Sequence, residues 1–182
     1  NGISDFQNYN WAVYCNDTEA KSDWTSNRTF DVETGSNLVS FCRNLDEANT
    51  IYTLSQNVSS EGTCFNINAE NVTLDCQGYT ITFSNSVAGN GVYSDSGNTT
   101  VKNCIIKQGT PTFRSSGIKF YQVNNGLIDN NKITLNSAEN YGINLIGSDY
   151  NRITNTNTTC SGAYDYGINF FSSNYNNVTN FK

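Results

Sequence analysis

The sequence contains no histidine and no methionine, and only 14% of its 182 residues are charged. Without histidine, the chain lacks the usual general base at neutral pH and the most common metal ligand. It contains no run of about 18 apolar residues, so no membrane span is predicted. Because the chain starts at Asn1 and has no methionine, we expect a mature form after signal removal, or a fragment.

Positive charge is also scarce. The chain carries 10 basic and 16 acidic residues, which gives a formal net charge of −6 at pH 7. A chain this acidic should not bind nucleic acid or an anionic membrane surface through general electrostatics. The cysteines form no Cys-X-X-Cys pair and have no histidine partner, which argues against a zinc site, and no cofactor or metal is expected.

Asparagine is abundant, and the chain has six cysteines, an even number. Both features indicate a secreted protein in an oxidising compartment, with structural disulfides and N-linked glycans. The candidate glycosylation sites are the asparagines that begin an Asn-X-Ser/Thr sequon: Asn16, Asn27, Asn57, Asn71, Asn98, Asn157 and Asn177.

The chain repeats itself with a period of about 25 residues. The segment YGINLIGSDYNRITN begins at Tyr141, and YGINFFSSNYNNVTN begins 25 residues later at Tyr166. Two columns of positions keep nearly this step along the chain. One column contains Gly167, Gly142, Gly117, Gly91 and Cys64, and the other contains Val178, Ile153, Ile128, Val101 and Leu74.

Within each unit the apolar residues alternate, as Ile118 does with Phe120 and Ile143 with Leu145. Alternation indicates strands, and turn residues separate the short runs. About 25 residues are too few for a propeller blade of about 40 residues, and the dense leucine pattern of a leucine-rich repeat is missing. The period fits one coil of about three strands, stacked about 4.8 Å from the next coil. The sequence therefore predicts an all-β parallel β-helix.

A column of asparagines follows the Val/Ile column by two residues, and Cys76 takes this place in the first coil. Asparagine tolerates the left-handed backbone of a sharp corner, and its amide can bond to the equivalent amide in the next coil. We therefore predict a structural asparagine ladder with no catalytic role, formed by Asn103, Asn130, Asn155 and Asn180.

Six cysteines allow 15 complete pairings, and the sequence alone does not select one. Cys64 and Cys76 lie on one coil, and Cys15 and Cys42 both lie in the N-terminal region. We prefer the pairs Cys15–Cys42 and Cys64–Cys76 on this ground. Cys104 and Cys160 occupy different columns, which leaves one or both free or bonded between subunits.

The segment GTCFNINAENVTLDCQGYTI, from Gly62 to Ile81, and the Gly-Ile and Asn-X-X-Ile repeats that follow it carry a resemblance. They resemble the right-handed parallel β-helix repeat proteins that archaea secrete, from about residue 38 to the end. The resemblance implies a right-handed coil and an extracellular or cell-surface location. Some proteins of this kind build surface filaments, including the grappling-hook appendages called hami.

Residues 1–50 do not match the repeat, so we predict an N-terminal segment over 1–50 and a β-helix over 51–182. The stretch NYNWAVYC alternates like a strand, with Trp11, Val13 and Cys15 on one side. One interpretation is that this segment caps the first coil and so protects its strand edges. The other is that it adds a strand to a neighbouring subunit, which makes Trp11 and Val13 candidate contact residues.

The acidic residues were compared by column, because polysaccharide lyases and hydrolases need carboxylates close together on one face. Lys102 separates Asp75 from Asp129 in one column, and Asp149 has asparagines on both sides. No column places two acids in neighbouring coils, so we expect a protein without enzymatic activity. A site built across neighbouring columns remains open.

A second set of contact candidates is the column of Tyr121, Ile146 and Phe171, each of which follows an inward-pointing residue. In a regular strand this column faces outward and forms an apolar stripe for another subunit. Alternatively, the strand bends and both columns are buried. Tyr150 and Tyr175 also lie in register, which predicts an aromatic stack that stabilises the coils.

The sequence ends at Lys182 in the middle of a coil, without the polar cap that solenoids need. We expect either a longer chain or a second copy that covers this end, head to tail. The function predicted is a structural subunit of an extracellular, cell-surface filament, which self-associates through its ends and its apolar stripe and has an adhesive role. The alternatives are a carbohydrate-binding or polysaccharide-cleaving β-helix, and a monomeric adhesin fragment.

Overall fold

The computed structural model describes residues 36–110 and 113–182, together with four short strands nearer the N-terminus. The chain divides into two units, Asn1–Thr34 and Gly35–Lys182. The first unit contains two antiparallel strand pairs: β1 (Tyr9–Trp11) with β4 (Arg28–Phe30), and β2 (Tyr14–Asn16) with β3 (Ser22–Trp24). Trp11, Cys15 and Asn16 are described by their backbone alone, and Val13 and Asn27 lie outside the described residues.

The second unit is a parallel β-solenoid of about 5 coils, in which the chain visits three sheets in turn. Sheet 1 contains β5 (Ser36–Val39), β7 (Ile51–Leu54), β10 (Thr73–Asp75), β13 (Thr100–Lys102), β16 (Leu127–Asp129), β19 (Arg152–Thr154) and β22 (Asn177–Thr179). Sheet 2 contains β8 (Val58–Ser59), β11 (Thr80–Phe83), β14 (Ile105–Gln108), β17 (Lys132–Leu135) and β20 (Asn157–Cys160). Sheet 3 contains β6 (Asn44–Leu45), β9 (Phe65–Ile67), β12 (Asn90–Ser94), β15 (Ser116–Tyr121), β18 (Tyr141–Ile146) and β21 (Tyr166–Phe171).

Each strand pairs in parallel with the equivalent strand of the next coil, which confirms the predicted fold class. The Val/Ile column is continuous in sheet 1, where Ile128 pairs with Ile153 and Ile153 pairs with Val178. The neighbours of the glycine column are paired in the same way, as Ile118 is with Ile143. The repeat in the sequence is therefore the register of the coils.

The glycine column marks a close approach between coils. A Cβ atom on Gly117 would lie 2.7 Å from the carbonyl oxygen of Gly142, which is closer than real Cβ contacts allow. Only glycine fits where two backbones approach so closely. The conserved step of this column is therefore a packing requirement of the stacked coils.

The core lies between the three sheets and consists of the inward side chains of successive coils. Phe65, Ile118 and Leu145 from sheet 3, Leu74 from sheet 1 and Ile106 from sheet 2 are all fully buried. Alternation along a strand places every second side chain in this core. Stacking about 5 such coils gives one continuous apolar column.

Part of the predicted N-terminal segment lies within the solenoid unit. β5 pairs with β7 in sheet 1, and β6 pairs with β9 in sheet 3, so both strands extend the sheets of the coils. Residues 36–50 therefore contribute strands to the solenoid. The capping or subunit-linking role of residues 1–50 stays a prediction.

Buried asparagines hold the interior corners between the strands. Asn151 is 1% exposed, accepts a hydrogen bond from the backbone N–H of Gly126 at 2.7 Å, and donates to the carbonyl of Val123 at 2.9 Å. Asn176 repeats the pattern one coil later, since it accepts from the backbone N–H of Asn151 at 2.8 Å. Backbone groups at the corners lie outside the hydrogen-bond ladders of the sheets. The asparagine amides serve as their hydrogen-bond partners in place of water.

Replacing Asn151 with alanine is therefore expected to lower the free energy of unfolding by about 1–3 kcal/mol, because two buried backbone groups lose their partners. Urea-induced unfolding followed by circular dichroism measures the change. Asn157→Ala is the matched control, since Asn157 is exposed and its side chain makes no hydrogen bond within the described ranges, and its effect should stay within about 0.5 kcal/mol. Equal losses in both variants would contradict the corner role.

Candidate functional site

The predicted asparagine column occupies left-handed corners after the strands of sheet 1. Asn103, Asn130, Asn155 and Asn180 have φ between 49° and 57°. Asn130 donates to Asn103 at 2.8 Å, and Asn180 donates to Asn155 at 3.1 Å. Between these pairs Asn155 donates to Asp129 at 3.0 Å, so an aspartate joins the ladder.

The first coil departs from the prediction that Cys76 takes this corner. The left-handed residue there is Gln77, with φ of 51°. β10 ends at Asp75 and β11 begins at Thr80, which leaves four residues at this corner, whereas the next coil has only two, Asn103 and Cys104. The longer corner directs Cys76 into the core, where it is fully buried.

An alternating charge column lies beside the ladder on the outer face of sheet 1. Asp75 pairs in register with Lys102, and Lys102 with Asp129, as the columns predicted. The Lys102 ammonium lies 3.2 Å from the Asp75 carboxylate. Burial raises the pKa of Asp75, but hydrogen bonds from Asn103 and Gln77 and the ion pair outweigh it, so this pKa lies below its ordinary value.

Asp129 is held in its charged form by the next coil. The hydroxyl of Thr154 donates to it and lowers its pKa, and the Asn155 amide adds to this effect against the opposing effect of burial. A carboxylate whose folded pKa is depressed stabilises the fold above its unfolded pKa of about 3.9, and loses this contribution as the pH falls through the folded value. The column therefore makes the solenoid sensitive to acid.

We expect the free energy of unfolding to fall below about pH 4 in the wild type, and to fall less in the Asp75→Asn/Asp129→Asn double variant. Denaturant unfolding at a series of pH values measures both profiles. Asp46→Asn is the control, because Asp46 is exposed and makes no hydrogen bond or ion pair within the described ranges. An unchanged acid profile in the double variant would contradict this role for the column.

The disulfides differ from the preferred pairs, which are wrong. Cys42 is bonded to Cys64 and Cys76 to Cys104, with Cα separations of 4.6 and 4.8 Å. These separations equal the distance between neighbouring coils and suit disulfide geometry. Cys64 and Cys76 belong to one coil but lie beside different sheets. Both bonds therefore fasten one coil to the next.

Cys160 is a free thiol among the described residues. It lies half-buried at the end of β20, in register with Leu135 of the preceding coil. Burial raises the pKa of this thiol, and the charge of Asp165 raises it further. Cys160 therefore behaves as a small core residue of the last coil rather than as a reactive thiolate.

The five sequon asparagines within the described ranges all lie on the surface. Each is exposed and accessible to a glycan: Asn57, Asn71, Asn98, Asn157 and Asn177. Their glycosylation stays a prediction.

The predicted apolar stripe is in register on sheet 3. Tyr121 pairs with Ile146 and Ile146 with Phe171. Tyr121 is 41% exposed and Phe171 is 64% exposed, whereas Ile146 is half-buried. The strands therefore do not bend enough to bury the column. Its role as a subunit contact stays a prediction.

The last coil exposes side chains that are buried elsewhere in the solenoid. Phe170 is 41% exposed, although its register partner Leu145 is fully buried, and Val178 is 38% exposed beside a fully buried Ile153. β20, β21 and β22 each have a described partner strand on one side only. We call this surface the C-terminal coil face.

At the opposite end of the described solenoid, the core side chains Val39 and Leu45 are fully buried. β5, β6 and β8 also have a described partner on one side only, and they belong to the same three sheets. Leu38, on the outer face of β5, and Phe41, which follows β5, are both strongly exposed. The Arg43 guanidinium lies 6.0 Å from the ring centre of Phe41 and 5.4 Å from that of Tyr52, within cation–π range.

Two tyrosine pairs stack between the last coils. Tyr150 and Tyr175 have ring centres 5.0 Å apart, which confirms the predicted stack. Tyr141 and Tyr166 form a second stack at 5.6 Å, which was not predicted. This second pair lines a groove of about 710 Å³ on the outer face of sheet 3, together with Arg114, Ser116, Lys119, Glu139, Asn144 and Tyr164. We call it the tyrosine groove.

The tyrosine groove was not predicted from the sequence, since its one acidic lining residue, Glu139, belongs to no stacked acidic pair. The outward column of sheet 3 can nevertheless be recognised in the sequence, since Lys119, Asn144 and Asn169 follow the glycine column by a constant two residues. Within the described ranges, no group of three or more histidine, cysteine, aspartate or glutamate residues is arranged to hold a metal ion. Those ranges also form no helix with the length and apolar character needed to cross a membrane.

Comparison with known proteins found no match: no family model, no curated protein and no solved structure matches the chain. The class established by the fold is therefore a parallel β-solenoid with disulfides between neighbouring coils. Two such disulfides are compatible with an extracellular protein.

Proposed function

We propose that this protein is a structural subunit of an extracellular cell-surface filament. In this proposal the first strands of one copy are placed on the C-terminal coil face of the next copy. The observation that carries it is the exposure of Phe170 and Val178, two core positions of the repeat, on strands that have a described partner on one side only.

The strands at the two ends of the described solenoid belong to the same three sheets. β5, β8 and β6 lie at one end of sheets 1, 2 and 3, and β22, β20 and β21 lie at the other. Because all strands of the solenoid run parallel, a second copy in the same orientation can continue each sheet with the same hydrogen-bond pattern. Such a contact is heterologous, so it forms an open filament when the rotation does not close.

Burial of apolar side chains supports the same contact. Phe170 and Val178 on the C-terminal coil face, and Phe41 after the first strand of the solenoid, are exposed in the single copy. Fully burying a side chain of this size contributes about 1.5–3 kcal/mol. A few such side chains, added to the strand pairing, give a contact that can hold two copies together.

The apolar stripe of Tyr121, Ile146 and Phe171 is proposed as a lateral contact between filaments or subunits. Its outward direction and its continuity over three coils support this role. The contact roles of Trp11 and Val13 belong to the same proposal, as the strand-adding interpretation of the N-terminal segment.

An extracellular setting suits the stabilising features of the chain. Disulfides persist in oxidising compartments, and both described bonds join neighbouring coils. Five exposed sequons offer sites for N-linked glycans on the flanks of the rod. Adhesion through these flanks is part of the proposal.

Substitution of Val178 with lysine is expected to weaken self-association at least about tenfold, because it places a charge in the contact between ends. Sedimentation velocity over a range of protein concentrations measures the association. Circular dichroism of each variant verifies the fold.

Val87→Lys is the matched control. Val87 is an exposed valine of an interior coil, 57% accessible, so this change alters the net charge equally and leaves the ends intact. The proposal expects the control to associate like the wild type. A wild type that stays monomeric at all concentrations, or equal effects of the two lysines, would contradict it.

A further inference from the structure

The tyrosine groove presents an amide donor, that of Asn144, which has no protein acceptor within the described ranges. Asn144 is 6% exposed, and its carbonyl oxygen accepts a hydrogen bond from the Asn169 amide at 2.9 Å, which fixes the orientation of its side chain. The Nδ2 group of Asn144 then has no acceptor within the described ranges. Because no buried side-chain nitrogen or oxygen of the described residues lacks a partner, this Nδ2 group is open to the groove, where a ligand can accept from it.

Lys119 supplies an unpaired positive charge in the same groove. It is half-buried and lies in register beside Asn144, and no carboxylate forms an ion pair with it within the described ranges. The only acid that lines the groove is Glu139, which is already paired with Arg114 at 3.5 Å. In a chain with a net charge of −6, this local excess of positive charge favours an anionic ligand.

The remaining lining is aromatic and hydroxylated. Tyr141, Tyr164 and Tyr166 combine an apolar ring with a hydroxyl group, and no hydrogen bond engages these hydroxyls within the described ranges. The groove contains no aliphatic side chain, so an apolar ligand would gain little from it. Rings with polar tips suit a ligand that presents C–H faces between many hydroxyl groups, as a sugar ring does.

The groove extends over three coils, which contribute Lys119, Asn144 and Tyr166 in turn. Three coils cover about 10 Å along the solenoid. This length fits a short oligosaccharide segment rather than a single small ion.

We propose that the tyrosine groove binds an acidic polysaccharide, with Lys119 facing the carboxylate of a uronic acid unit. Asn144 Nδ2 donates to a ring or hydroxyl oxygen of the same unit, and the three tyrosines contact the neighbouring sugars. The site binds without catalysing any reaction. It does not depend on the proposed assembly, since the groove lies on the side of the coils.

Isothermal titration calorimetry with tetragalacturonate tests the site, and the methyl ester of tetragalacturonate serves as the uncharged probe. The protein carries Val178→Lys, so that association of the copies does not obscure the titration. We expect saturable binding of tetragalacturonate, and binding of the methyl ester weaker by about tenfold or more, because the charge-assisted hydrogen bond is lost.

Lys119→Gln and Tyr164→Ala should each weaken tetragalacturonate binding about tenfold. Lys107→Gln and Tyr150→Ala are the matched controls, since both residues are exposed and lie outside the groove, and they should leave binding unchanged. Tyr164 is strongly exposed in a loop, so its replacement does not endanger the fold. Absence of saturable binding, equal affinity for the methyl ester, or equal effects of Lys107→Gln and Lys119→Gln would overturn the proposal.

Discussion

The register between neighbouring coils is the constraint on which the rest of the structure depends. Every strand of the solenoid pairs in parallel with the equivalent strand of the next coil, so each residue lies about 4.8 Å from the equivalent residue of that coil. This rule requires glycine at Gly117, where two backbones approach, and it allows the disulfide between Cys76 and Cys104. It also places the amides of Asn103 and Asn130 within bonding distance. A single geometric repeat thus sets the core, the corners and the cross-links.

The same register leaves the core side chains of the last described coil covered from one side only. An interior residue such as Leu145 is covered by coils on both sides, whereas Phe170 has a neighbour on one side only. In the proposed assembly, a second copy supplies the coil that lies against Phe170. The tyrosine groove around Lys119 lies on the side of the coils, so it stays available for a separate ligand.

Much of the fold could be predicted from the sequence, because residues one repeat apart in the sequence lie in contact in neighbouring coils. The column from Leu74 to Val178 is visible as a nearly constant step, and Tyr150 and Tyr175 are separated by the same step. The disulfides were missed because cysteines of one coil were assumed to be near each other, whereas the coil carries Cys64 and Cys76 to different sheets. The corner at Gln77 was missed because two extra residues shift the column locally. Spacing alone does not reveal the groove, nor that the Asn144 amide has no acceptor within the described ranges.

Electron microscopy of the purified protein tests the central claim, that the ends of the solenoid complete one another. The account predicts ordered fibres in which the strands lie across the fibre axis. Their axial repeat should be at least roughly 30 Å, the span of the seven strands of sheet 1 at about 4.8 Å spacing. Single dispersed particles of the intact chain, at every concentration at which the protein stays in solution, would contradict it.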